Sequence, residues 1–230
     1  MRIATFNTLH CASYFGDLQI NYRLYSDAIG ELRADVVGLN EIRGNGEDAG
    51  YDEQTKILAE GAGYPYYKFA EAIKVGGKNP YGNALLSKHE ITSCETIPIP
   101  APSDARIGTR WYEDRVILKA RLACGLTVMI VHVGLNPDEK ELAADIILEN
   151  IENERCILMG DFNMDPDDPP MLRIKEKMTD TYVSGEYTWP SEAPTRKIDY
   201  IFVTKDIKVT NAFVADVKAS DHLPYVIEIE

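Results

Sequence analysis

The sequence predicts a layered α/β fold. Three observations predict it: short runs rich in Val, Ile and Leu bounded by Gly, Pro, Asn or Asp; helical stripes between some of them; and a faint echo between the two halves. The 230 residues are 45% hydrophobic and 27% charged, ordinary values for a globular chain with a full core, so one domain over residues 1–230 is expected.

The β-like runs are residues 2–7, 36–40, 83–87, 116–122, 127–133, 156–160, 198–203 and 225–228. The clearest helix opens at Asn136-Pro137-Asp138-Glu139, an N-cap with Pro at the first helical position and Glu at the third. It runs to about Asn153, with Leu142, Ala143, Ile146, Ile147 and Ile151 on one apolar stripe. A second helix spans about Leu18 to Leu32, turning Tyr22, Tyr25, Ile29 and Leu32 inward. A third covers roughly Glu53 to Glu60 and stops before Gly61 and Gly63. In each half a strand leads to a helix and then to an apolar strand with a polar end, first at Val36 to Glu41, then at Cys156 to Asn163. If the halves pack sheet on sheet, both polar ends open at one edge.

The N-terminus turns polar at once, and no run approaches the roughly 20 apolar residues that span a bilayer. A cytoplasmic protein without a membrane span is expected. Cys11, Cys94, Cys124 and Cys156 lie far apart, without zinc or redox spacing, and Cys156 reads as a buried reduced thiol. A net charge of −13 repels a polyanion at long range, so nucleic acid is a possible partner that the charge does not favour. A bound cation and a few local Arg or Lys residues reverse that sign within a cleft.

The chemistry sits at strand ends. Asn7 follows Ile3-Ala4-Thr5-Phe6, Glu41 follows Gly38-Leu39-Asn40, and Asp161 and Asn163 follow Leu158-Met159-Gly160. Asp199 lies in Lys197-Ile198-Asp199-Tyr200, and Asp221-His222 in Ser220-Asp221-His222-Leu223. One such Asn or Asp simply ends a strand or makes an Asx-turn. Six of them in this order carry more. Glu41, Asp161 and Asp221 offer carboxylate oxygens, and Asn7 and Asn163 offer amide oxygens, a set suited to a hard cation. With no Cys cluster and no H-x-x-x-H pair, Mg²⁺, or Mn²⁺ in its place, is expected rather than zinc.

From Thr5-Phe6-Asn7 through Leu39-Asn40-Glu41, Gly160-Asp161-Phe162-Asn163 and Ile198-Asp199-Tyr200 to Ser220-Asp221-His222, the chain resembles the endonuclease/exonuclease/phosphatase superfamily. The resemblance implies a four-layered α/β sandwich, two packed mixed β-sheets flanked by helices. It implies a metal-dependent hydrolase of phosphate esters, acting on a small or lipid-like substrate, with DNA or RNA cleavage at the same site as the alternative. It implies Glu41 as the main metal carboxylate with Asn7 beside it and Asp221 in support. Asp161 orients or deprotonates the attacking water, Asn163 holds a phosphoryl oxygen, and His222, paired with Asp199, contacts the phosphate or moves a proton. His132 in Val131-His132-Val133 resembles the catalytic His of deoxyribonuclease-like members, whose acidic partner falls near Asn83, an amide here. Arg115 resembles a phosphate-contacting Arg, against the alternative of a salt bridge to Glu113 or Asp114.

Other positions are read from the residues alone. Arg43 reaches the same cleft from its strand end, whereas His10 and His89 read as loop residues without a role. Segments 44–52 and 103–111 are read as pocket-shaping loops, and Trp189 either caps the cleft or packs.

Overall fold

Continuous apolar runs such as Ile3-Ala4-Thr5-Phe6 make strands buried on both faces. Alternate side chains then feed different layers, and this sorts the core of the computed structural model, which describes residues 1–103, 106–183 and 185–230. Ile3, Val36, Leu85, Leu118, Val128, Ile130, Ile157 and Met159 interdigitate between two sheets. Ala4, Phe6, Val37 and Leu39 point the other way, toward Tyr25, Ile29 and Leu58 of two helices. Met129, Val131, Leu158, Tyr200 and Phe202 meet Ala144, Ile147, Met171 and Ile174 of two further helices. The chain forms a four-layered α/β sandwich.

In chain order the elements are β1 (Arg2–Asn7), α1 (Tyr22–Glu31), β2 (Val36–Arg43), α2 (Gln54–Ala62), β3 (Tyr66–Val75), β4 (Asn79–Ser87), β5 (Ile91–Ile99), β6 (Arg115–Leu122), β7 (Thr127–His132), α3 (Pro137–Asn150), β8 (Cys156–Asp161), α4 (Pro169–Lys177), β9 (Thr179–Asp180), β10 (Asp199–Val203), β11 (Val209–Val214) and β12 (Tyr225–Ile229). One sheet has the order β11-β12-β1-β2-β4-β3, the other β5-β6-β7-β8-β10-β9.

Each sheet has a parallel pair at its centre. Strands β1 and β2 run parallel with Asn7 opposite Asn40, and β7 and β8 run parallel with His132 opposite Asp161. The crossovers through α1 and α3 are the echo seen in the sequence. Because both pairs end at the same edge, four polar strand ends meet there.

The boundaries differ from expectation in informative ways. Helix α1 starts at Tyr22 rather than Leu18, because the Asn21 side chain caps Leu24 N–H at 3.0 Å. The residues before it close a turn in which Ser13 N–H donates to Gln19 O at 2.9 Å, with Leu18 at φ +59°. Helix α3 has the expected Asn136–Glu139 capping box but ends at Asn150, not Asn153. Strands β3, β5, β9 and β11 and helix α4 were not anticipated. The four strands are the four sheet edges. One side of an edge strand faces water, so Lys68, Glu71 and Lys74 in β3, or Thr92, Ser93 and Glu95 in β5, dilute the apolar signal. Helix α4 opens on Pro169-Pro170, which imitates a loop.

No helix among the described residues is long and apolar enough to cross a membrane. All four cysteines are free, and Cys156 is buried as expected.

Candidate active site

The site is built on a tie between the sheets. Buried Asn40, at the end of β2, donates from Nδ2 to Asn83 Oδ1 and to Val131 O, both at 2.9 Å. Its Oδ1 accepts Asp161 N–H at 2.9 Å. Asn83 in turn donates to Val116 O at 3.0 Å. One amide thus links β2 of the first sheet to β7 and β8 of the second, and every polar atom involved is satisfied. Asn83, placed by resemblance as the partner of His132, serves this tie instead.

The next residue leaves the ladder. The register of β2 against β4 shifts between Leu39 and Ile42, and Glu41 in that bulge adopts φ +60°. The left-handed conformation is strained for Glu and persists because the neighbouring ladder fixes it. It brings the carboxylate to a cavity of about 380 Å³. On the other sheet Gly160, at φ +143°, lets β8 approach Val131 O, where a Cβ would collide, and Asp161 follows directly.

Asp161 is the hub. Its Oδ2 accepts Asn7 Nδ2 at 3.0 Å and lies 3.6 Å from His132 Nε2 and 3.8 Å from His222 Nε2. Its Oδ1 accepts the N–H of Asn163, which takes φ +51°. The Asn163 side chain donates to Val133 O at 3.0 Å. Asn7 also donates to Glu41 Oε1 at 3.1 Å, while its Oδ1 accepts Leu9 N–H at 3.1 Å. The Asn7 nitrogen, not the expected oxygen, therefore faces the two carboxylates. His222 Nδ1 sits 2.9 Å from Asp199 Oδ2. Glu41, His132, Asp161, Asn163 and His222 all line the cavity.

Charge states follow from burial and neighbours. Desolvation pushes the Asp161 carboxyl up to about 7, reinforced by Asp199 and opposed by His222. Burial alone would discharge His222, but Asp199 and Asp161 outweigh it and push its pKa up to about 10. Burial, then the Arg115 charge, pushes His132 down to about 3, so its ring is neutral at pH 7. Arg115 Nη1 lies 3.4 Å from His132 Nδ1 and, being a donor only, selects the tautomer with the proton on Nε2, toward the cavity. Burial works against the charge of Glu41, yet His10, His132 and Asn7 hold its carboxyl well below the usual range.

The raised pKa of His222 has a consequence for stability. A group whose folded pKa lies above its unfolded value stabilises the fold fully below the unfolded value, near 6.5, and loses that effect as pH rises through about 10. Chemical denaturation of wild type and His222→Gln across that window should show a gap of a few kcal/mol at pH 6.5 that closes by pH 10. A gap independent of pH would refute the ion pair.

The remaining sites divide. Arg115 makes the salt bridge foreseen as the alternative, pairing with Glu113 Oε2 at 3.1 Å, and it also lines the cavity. Arg43 also lines the cavity, but its guanidinium lies 4.5 Å over the Tyr51 ring and donates to Gly50 O at 3.3 Å. Asp221 is not among the cavity-lining residues; it accepts Ser220 Oγ at 3.1 Å and Trp189 Nε1 at 3.4 Å. Its charge favours the protonated form of His222 from behind. Trp189 is thereby engaged with Asp221. Tyr51 of segment 44–52 lines the cavity, whereas no described residue of segment 103–111 does, positions 104 and 105 lying outside the described residues.

Sequence reading gave His10 no role and overlooked Tyr81. His10 Nδ1 approaches Glu41 Oε2 to 3.9 Å from a 3₁₀ turn (Leu9–Cys11) whose residues all have positive φ. Tyr81 lines the cavity beside Glu41, and burial and that carboxylate raise its hydroxyl well above its ordinary pKa. Nothing in the periodicity marks either one.

Asp161, Asp199 and His222 bring ligand-type atoms within 4.8 Å of one another. A charged His222 is a poor ligand, however, because both ring nitrogens carry protons. The oxygens of Glu41 and Asp161 are the donors that fit a hard cation.

The model of the Endonuclease/Exonuclease/phosphatase family matches residues 4–222. No curated protein sequence matches the chain. Among solved structures, an endonuclease/exonuclease/phosphatase from Beutenbergia cavernae superposes with a TM-score of 0.78 at 21% identity, covering 100% of this chain and 71% of that one. A mannosyl-6-phosphatase from Bacteroides thetaiotaomicron gives 0.77 at 18% identity, covering 100% and 99%. ANGEL2, a 2′,3′-cyclic phosphatase bound to adenosine-2′,3′-vanadate, gives 0.74 at 15% identity, covering 99% and 94%. The chain belongs to the endonuclease/exonuclease/phosphatase family, the hydrolases of phosphate esters.

Proposed function

We propose that the protein hydrolyses a small phosphate ester with the help of Mg²⁺, or Mn²⁺ in its place. One observation carries the reading: a buried carboxylate, Asp161, stands within 4 Å of two histidines and is joined to Glu41 through Asn7, and Glu41, Asp161 and both histidines face one cavity. Glu41 would hold the cation, and the Asn7 amide fixes that carboxylate beside Asp161. A bound divalent cation supplies positive charge against the phosphoryl oxygens.

The chain's own residues do the rest. Asp161, with its raised pKa, takes a proton from the attacking water. His222, kept charged by Asp199, stabilises the negative equatorial oxygens. Neutral His132 offers its Nε2–H, and Arg115 adds charge beside it. Asn163 and Arg43 complete the wall that receives the phosphoryl group.

A pocket of about 380 Å³ has room for a small molecule, and the net charge of −13 disfavours a polyanionic polymer. Turnover of a panel of phosphomonoesters and phosphodiesters should appear with Mg²⁺ or Mn²⁺ and vanish with EDTA. Turnover that survives EDTA would overturn the metal assignment. Rapid plasmid nicking abolished by Asp161→Ala would instead make the substrate DNA.

A further inference from the structure

Four apolar or aromatic side chains that stand at the cavity lie outside the hydrophobic core. Tyr51, Ile73, Val75 and Leu135 all line it. None belongs to any of the three core clusters. Val75 is 41% exposed and Leu135 44%. They come from three separate places: the loop after β2, the end of β3, and the turn between β7 and α3. Single exposed apolar residues are ordinary, but four converging on the rim of a polar reaction centre are a lip that a ligand can cover.

One part of that lip is pre-positioned. The Arg43 guanidinium lies over the Tyr51 ring at 4.5 Å, and Gly46 N–H donates to Tyr51 O at 2.8 Å. A ring held in this way costs little entropy to stack against. The cavity has room for a phosphoryl group and a ring or two beyond it.

Resting on the phosphoesterase reading above, we propose that Tyr51, Ile73, Val75 and Leu135 form a leaving-group subsite for a compact aromatic alcohol. The substrate is then a phosphate ester whose phosphoryl end reaches Glu41 and Asp161 while its ring covers this lip. On that account sugar phosphates, whose hydroxyls find no partners on Ile73, Val75 and Leu135, are poor substrates.

The test compares benzyl phosphate with glycerol 1-phosphate, both esters of primary alcohols, so that leaving-group basicity is closely matched. Burial of one ring predicts a kcat/KM preference for the benzyl ester of roughly tenfold. The preference should fall to about twofold in Ile73→Ser/Leu135→Ser and persist in Leu172→Ser, a leucine of α4 that is 48% exposed and outside the cavity. Direct calorimetric binding of benzylphosphonate against methylphosphonate, with Mg²⁺ present, should show the same ratio without turnover. Turnover of both esters with no preference, or a preference that survives the double variant, overturns the subsite alone. A stronger preference for hexyl phosphate than for benzyl phosphate replaces the aromatic occupant by an alkyl chain and also overturns it. Absence of turnover with tighter benzylphosphonate binding upholds the subsite and overturns the hydrolytic reading. Absence of turnover with equal phosphonate binding overturns both.

Discussion

Asp161→Asn is expected to lower kcat by roughly a thousandfold, the middle of the range for a lost general base, with little change in KM. The substitution is isosteric. It nevertheless replaces an oxygen that faces three donors, Asn7 Nδ2 and the Nε2 atoms of His132 and His222, or else turns its amide nitrogen toward the Asn163 N–H. Either orientation removes the proton acceptor and leaves one donor facing another. The wild-type rate should rise with pH through about 7 as Asp161 loses its proton, and the residual rate of the variant should lack that limb. Steady-state kinetics on the best ester of the panel, with a thermal melt to confirm folding, measure this. Activity within tenfold of wild type would remove Asp161 from the chemistry.

The second large effect concerns a residue that never meets substrate. Asn40→Ala strands Asp161 N–H, Val131 O and Asn83 Oδ1 in the interior, where each had a partner at 2.9 Å. A buried polar group left without a partner costs about 1–3 kcal/mol, so the loss should be roughly 3–5 kcal/mol for the three together, after partial relaxation. Urea denaturation reads it directly. Activity should also fall, because the same bonds hold the Asp161 backbone against β2 and so fix its distance from Glu41. A loss below about 1 kcal/mol would mean that the sheets are held in register by apolar packing alone.

The inner strands were legible and the edges were not, for one reason. Strands β1, β2, β4, β6, β7, β8, β10 and β12 are largely buried and carry apolar runs, interrupted in β6 by Lys119 and Arg121 and in β12 by Glu228, whereas β3, β5, β9 and β11 close the sheets and mix Lys, Glu, Thr and Ser among their apolar positions. The strand-end carboxylates and histidines were legible for a related reason: a parallel strand that ends in a polar residue delivers it to the shared edge, as Asn7 and Asp161 show. What stayed hidden depends on contacts that no local pattern encodes. Asn40 looked like one letter of a motif but ties the sheets; Asn83 serves that tie, not His132; Arg43 stacks on Tyr51; Asp221 turns to Trp189 and Ser220. His10 reaches Glu41 from a turn that periodicity cannot mark.

The proposed chemistry requires Glu41 and His222, distant in the chain, to serve one reaction in one cavity. Anomalous diffraction from crystals grown with Mn²⁺ and inorganic phosphate examines that directly. Manganese should appear at the Glu41 carboxylate, with the phosphate between it and the rings of His132 and His222. Manganese and phosphate bound elsewhere, with this cavity left to solvent, would contradict it.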